Sequence, residues 1–209
     1  MTNVKNILIH GLGQNEKSWD EVEKLLSDDI KAEKPNLYEM MKNKEFNYDF
    51  LYNQFADYCN SFDENLNLCG LSLGGILALD YVKHYPDKVN SLTLIGVPYK
   101  IPKTLFKMQN FIFHLMPRGT FEKMGVSKKD FIALVKSMEN IEIAEDVSKL
   151  QCKTLILCGR KDKTNMKSAK QFHQKIKNSN LKVIRNSSHE VNVDNPKELS
   201  AALIEFWDR

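Results

Sequence analysis

Apolar residues in this chain fall into short continuous runs, set between longer stretches whose apolar positions recur every three or four residues. The runs are "NILIH" (6–10), "LNLC" (66–69), "SLTLI" (91–95), "TLILC" (154–158) and "LKVI" (181–184). Continuity, in place of apolar–polar alternation, predicts strands covered on both faces. Between the runs the period is helical. Trp19, Val22, Leu25 and Leu26 share one face, and Ser18 with Glu21 has the spacing of a capping box. Phe50, Leu51, Phe55 and Tyr58 form a second stripe, and a third helix is predicted from about Gly74 until Pro86 stops it. Two more fit the stretches from Met166 to Ile176 and from Pro196 to Asp208. The segment "DDIKAEKPNLYEMM" has room for a sixth, short strand. Such alternation predicts an α/β fold, with a mostly parallel central sheet of about six strands and helices on both faces.

One segment breaks the rhythm. Between the runs at 91–95 and 154–158 no strand pattern occurs, while "KTLFKMQNFIFHLMP" and "KKDFIALVKSM" are helical in period and rich in Phe, Met and Leu. That is too long for a loop, so a helical insertion is predicted at about residues 98–150 of a single domain spanning 1–209. From Tyr99 to Lys136 it carries eight Lys and Arg against only Glu122 and Asp130. Pro102 and Pro117 interrupt its apolar stripe, which favours a solvated outer face over a membrane-docking helix.

The bulk composition narrows the class. Hydrophobic residues make up 42% and charged residues 27%, the balance of a soluble globular domain. A net charge of +3, scattered along the chain, is too mild to argue for nucleic acid. No apolar run approaches the roughly 18 residues of a membrane span. The N-terminus runs straight into a strand pattern without a signal peptide, and the four cysteines lack metal or redox spacing. The expectation is a reduced, cytoplasmic protein without stable membrane association, and no cofactor or metal is indicated.

Candidate chemistry begins at "GLSLG" (70–74), between a strand pattern and a helix pattern. Composition alone gives roughly 0.02 chance matches to Gly-x-Ser-x-Gly in a chain of this make-up. Strand–Gly70-Leu71-Ser72-Leu73-Gly74–helix is the setting of a nucleophile elbow, a turn so tight that flanking side chains beyond hydrogen would clash. The hydroxyl of Ser72 then stands at the positive end of a helix. Of five histidines, His189 in "IRNSSHEVN" follows the last strand and sits at the carboxyl edge of the sheet, where open parallel sheets build their sites. His84 and His173 read as surface residues, His114 as packed in the insertion, and His10 as a scaffold residue. Asp162 in "TLILCGRKDKTN" is the preferred orienting acid, with Glu190 and Asp194 as rivals. The order Ser72, Asp162, His189 is the one expected with this elbow. "HGLGQ" after the first strand offers backbone donors, and the amides of Leu12 and Leu73 form the natural pair for an oxyanion. A phosphate cradle fits "GLG" less well, because neither a third glycine nor Gly-Lys-Ser/Thr follows.

With "HGLG" and Trp19 beyond it, "GLSLGG", "LILCGRKD" and "SSHEVNVDNP", the chain resembles the α/β-hydrolase superfamily over nearly its whole length, close to its compact bacterial esterase-like members. The resemblance implies Ser72 as nucleophile, Asp162 as acid and His189 as base. It also implies that the family's first two strands are missing here. The expected function is therefore hydrolysis of a small carboxylic ester, with the insertion as a lid whose Phe106, Phe111, Phe113 and Met116 line an acyl pocket or simply pack against the sheet. Thioesterases and lyases share the scaffold, and a binding or sensor protein with an idle triad is the alternative from another class.

Overall fold

The protein is described by a computed structural model covering residues 4–100 and 112–208. Six strands form one sheet: β1 (Val4–Ile9), β2 (Ala32–Glu33), β3 (Asn65–Leu71), β4 (Val89–Ile95), β5 (Lys153–Gly159) and β6 (Ser179–Ile184). Their order across the sheet is β2-β1-β3-β4-β5-β6, and every neighbouring pair is parallel. The ambiguous sixth strand is β2, a two-residue edge beside Asn6 and Ile7.

Alternate residues of each strand feed two separate cores. Ile7, Ile9, Leu66, Leu68, Leu92, Leu94, Ile156 and Cys158 point to one face, packed with α3 (Tyr48–Asn60), α4 (Leu73–His84) and α7 (Lys163–Lys175). Leu8, Cys69, Leu71, Ile95, Leu155 and Leu157 point to the other, against α1 (Asp20–Glu23) and α9 (Pro196–Trp207). Burial on both sides explains why the strands read as continuous apolar runs. Further helices among the described residues are α2 (Leu37–Met40), α5 (Arg118–Glu122), α6 (Lys128–Ser137) and α8 (Val191–Asp194). None of the described helices is long and apolar enough to cross a membrane.

Caps explain several helix starts. Asn47 accepts from the amide of Phe50 at 2.8 Å to open α3, and Ser127 accepts from Asp130 to open α6. The capping box expected at Ser18 is absent. Asn15 caps a 3₁₀ turn over Glu16–Trp19 instead, and Ser18 Oγ donates to the Asn15 carbonyl at 2.8 Å. The helix that follows is a single turn, so Leu25 leaves the shared face and is 45% exposed while Trp19 and Val22 are fully buried.

Between β4 and β5 the described residues contain helices and no strand. Phe121, Phe131, Leu134 and Val135 are buried, and Phe113 and Phe121 each meet Phe131 edge-on at 5.0 Å. The Ser137 hydroxyl accepts from the Tyr48 amide at 2.8 Å, joining this segment to α3.

Backbones also cross closely where α4 passes the end of β1. A Cβ on Gly74 would lie 2.3 Å from the Ile9 carbonyl oxygen, a clash with main chain that no side-chain rotation relieves. Gly74→Ala is therefore expected to destabilise the fold by about 3 kcal/mol or more, measured by urea denaturation; a change below about 1 kcal/mol would contradict this packing.

Candidate active site

β3 runs through Leu71 directly into α4, and Ser72 is the residue at the join. Its backbone has φ 50° and ψ −110°, a left-handed conformation costly for a residue with a Cβ. Hydrogen bonds on both sides hold it there: Ser72 N donates to the Ile95 carbonyl at 2.9 Å, and Ile76 N donates to the Ser72 carbonyl at 3.0 Å. The turn closes because Gly70 and Gly75 have no side chain. A Cβ on Gly70 would lie 2.3 Å from the Gly74 carbonyl, and one on Gly75 2.3 Å from Val97. Half-buried Ser72 makes no side-chain hydrogen bond to another described residue, His189 included.

The histidine loop follows β6. Gly159, at the end of β5, lies so close beneath it that a Cβ there would meet the Ser188 carbonyl oxygen at 1.9 Å. His189 Nδ1 and Asp162 Oδ2 are 2.9 Å apart, which fixes Nδ1 as the protonated nitrogen donating to the carboxylate. Nε2 is left without a hydrogen bond among the described residues. Gly96, with φ +57°, separates this pair from the serine turn; a Cβ on it would lie 3.0 Å from His189 Nδ1 and 3.5 Å from Asp162 Oδ2. Ser72 is bonded to Ile95 and His189 abuts Gly96, so both groups meet at the carboxyl end of β4.

Asp162 is only 7% exposed, whereas the His189 side chain is 41% exposed. Burial alone would raise the Asp162 carboxyl. Hydrogen bonds from His189 and Asn165 outweigh it and hold the group below the usual carboxylate range. Asn165 donates to Asp162 through its backbone amide at 3.1 Å and its side chain at 2.8 Å. Sequence reasoning missed this residue, although its place three positions after a helix-capping Asp is a signal that could have found it. The rival acids lie elsewhere. Asp194 accepts from both the amide and the hydroxyl of Ser188 at 2.6 Å, and Glu190 is exposed.

The loop after β1 presents its backbone toward the same edge. Gly11 N lies 3.5 Å from Gln14 Oε1, Gly13 N donates to Tyr38 Oη at 2.9 Å, and Gln14 N donates to the Gly11 carbonyl at 3.2 Å. The Leu12 amide donates to no described residue. Leu73 is the first residue of α4, where helical amides have no intrahelical acceptor. Met124, between α5 and α6, approaches this loop, its Cε 4.0 Å from where a Gly13 Cβ would stand; no motif marked it.

Of the residues expected to line an acyl pocket, Phe106 and Phe111 lie outside the described residues. Phe113 and Met116 are half-buried against the larger core. His84 and His173 are exposed, as expected, but so is His114, which does not pack inside the insertion.

No protein-family model matches the chain. Monoacylglycerol lipase ABHD6 of Bos taurus is 22% identical over 199 positions, covering 73% of this chain and 58% of that protein. The chain thus spans less than two thirds of the length of the curated relatives it matches. Among solved structures, NosK from Streptomyces actuosus superposes with a TM-score of 0.81 at 19% identity, covering 100% of this chain and 98% of that one. An esterase (EaEST) from Exiguobacterium antarcticum gives 0.79 at 16% identity, covering 100% and 94%. The chain has the α/β-hydrolase fold.

His10, at the end of β1, is fully buried and ties the loop to α2. Nδ1 donates to the Gly11 carbonyl at 2.9 Å, and Nε2 accepts from Leu37 N at 3.0 Å. Burial lowers its pKa from 6.5 to about 4. Between those values the unfolded chain binds the proton and the folded chain does not, so stability falls as pH drops through that window. Roughly 3 kcal/mol should be lost between pH 6.5 and 4. Urea midpoints across that range should show the slope, and His10→Asn should flatten it; an unchanged slope in the variant would remove His10 as its source.

Proposed function

We propose that the protein is a serine hydrolase of small carboxylic esters, with Ser72 as nucleophile, His189 as base and Asp162 as the orienting acid. The observation that carries the proposal is the strained Ser72 turn beside a hydrogen-bonded His189–Asp162 pair at one end of β4. A binding protein gains nothing from that strain, whereas a nucleophile gains a hydroxyl lifted clear of the sheet.

In the reaction, His189 Nε2 takes the Ser72 proton as Oγ attacks the acyl carbon. Nδ1–H donates to Asp162, whose carboxylate stays ionised and stabilises the imidazolium. The oxyanion is received by the amides of Leu12 and Leu73. His189 then protonates the leaving alkoxide, and water, deprotonated by the same ring, releases the acid from Ser72. The insertion serves as a lid, consistent with Met124 over the Gly13 turn, and its Phe113 and Met116 line the acyl side. The names of similar proteins, an esterase and a monoacylglycerol lipase, agree with an ester carbonyl as electrophile. The substrate is taken from solution in the cytoplasm, since the prolines that interrupt the basic insertion oppose a continuous membrane-docking helix.

Two variants test the roles. Ser72→Ala should abolish hydrolysis of short p-nitrophenyl esters by several orders of magnitude with folding intact. Asp162→Asn should lower kcat by about 10³–10⁴-fold. Substantial turnover by folded Ser72→Ala would remove the nucleophile assignment, and a larger loss in Asp194→Asn than in Asp162→Asn would move the acid.

A further inference from the structure

The loop carrying the Leu12 amide and the loop carrying His189 come from opposite ends of the chain, yet one buried pair of side chains joins them. Gln14 Nε2 donates to Asn192 Oδ1 at 3.3 Å, and Asn192 Nδ2 donates back to Gln14 Oε1 at 3.2 Å. Asn192 Nδ2 also reaches the Ser18 carbonyl at 3.1 Å. Gln14 Oε1 further accepts from Ser18 Oγ at 3.2 Å and lies 3.5 Å from Gly11 N. Gln14 is 8% exposed and Asn192 fully buried.

Two amides in such a place are costly unless each is paired, so the arrangement tolerates few geometries. Gln14 is two residues from Leu12, and Asn192 is three residues from His189 in the single-turn helix α8, whose Val191 N donates to the His189 carbonyl at 3.0 Å. On its other side the loop is held by His10 and by Tyr38, which accepts from Gly13 N. Those contacts fix the loop to α2, and none of them reaches the histidine. The Gln14–Asn192 pair spans that gap.

We propose that Gln14 and Asn192 are positioning residues: their reciprocal amide pair sets where the Leu12 amide stands relative to the His189 imidazole. The inference rests on the reading of Ser72 as nucleophile. Neither residue touches substrate. Their effect falls on the transition state, where oxyanion donor and base must act together, and a misplacement of about 1 Å there costs up to about 10²-fold.

The test uses the full chain and a short p-nitrophenyl ester. Asn192→Ala should lower kcat about 10–100-fold with KM changed less than about twofold. Asn192→Asp, close in shape but unable to donate to Gln14 Oε1 or the Ser18 carbonyl, should lose about tenfold or more and serves if the alanine variant does not fold. Gln14→Ala combined with Asn192→Ala should be no worse than the more damaging single change, because both break one link. Deuterium uptake over residues 11–14 should rise in each Asn192 variant, a readout independent of hydrolysis. Wild-type kcat in a folded Asn192 variant, losses that multiply in the double variant, or unchanged uptake at 11–14 would overturn the clamp alone. Retained activity in Ser72→Ala, run in the same assay, would instead overturn the nucleophile reading on which it rests.

Discussion

Three backbones cross where β3 turns into α4, and their separation is smaller than a methyl group allows. Gly70 lies against the carbonyl of Gly74, Gly74 against that of Ile9, and Gly75 against Val97 and Gly70. That contact lets a strand buried from Leu66 onward feed a nearly fully buried helix with one intervening residue. The intervening residue is Ser72, at φ 50°. Strain of this kind costs about 1–3 kcal/mol and persists only where the surroundings leave no alternative. Here β3 and α4 supply much of the larger core, and the Ile95 carbonyl holds the Ser72 amide.

The same logic of close approach organises the rest of the edge. Gly96 and Gly159 let the acid and histidine loops settle against the strand ends. His10 and Tyr38, both buried with their polar atoms satisfied, hold the first loop from below; burial pushes the Tyr38 phenol up to about 12 and keeps His10 neutral. One buried carboxylate at this edge, Asp162, is held ionised by the donors around it. Preorganised donors around a half-open histidine are what a reaction through an oxyanion requires.

Much of this was legible in the residues because the physics is local. Strands buried on both faces leave continuous apolar runs, and an elbow leaves glycines on both sides of a serine, so the sheet and Ser72 stood out together. The His189–Asp162 contact, across 27 residues, followed from placing both at strand ends. Less legible were features set by neighbours in space. Ser18 has the spacing of a cap, but Asn15 opens an earlier 3₁₀ turn and takes that role. Leu25 fits the helical period, but α1 stops at Glu23. His114 lies in an apolar stretch and still faces outward. Met124 and the Gln14–Asn192 pair make contacts no motif encodes, and Asn165 is marked only by its spacing from the capping Asp162.

The measurement that bears most directly on the central claim is covalent labelling of the intact protein with a fluorophosphonate, read by peptide mass. The strained serine with its histidine predicts one adduct per chain, on the peptide containing Ser72, and its disappearance in His189→Ala. An unlabelled protein, an adduct on another residue, or labelling of Ser72 that survives the loss of His189 would contradict the account.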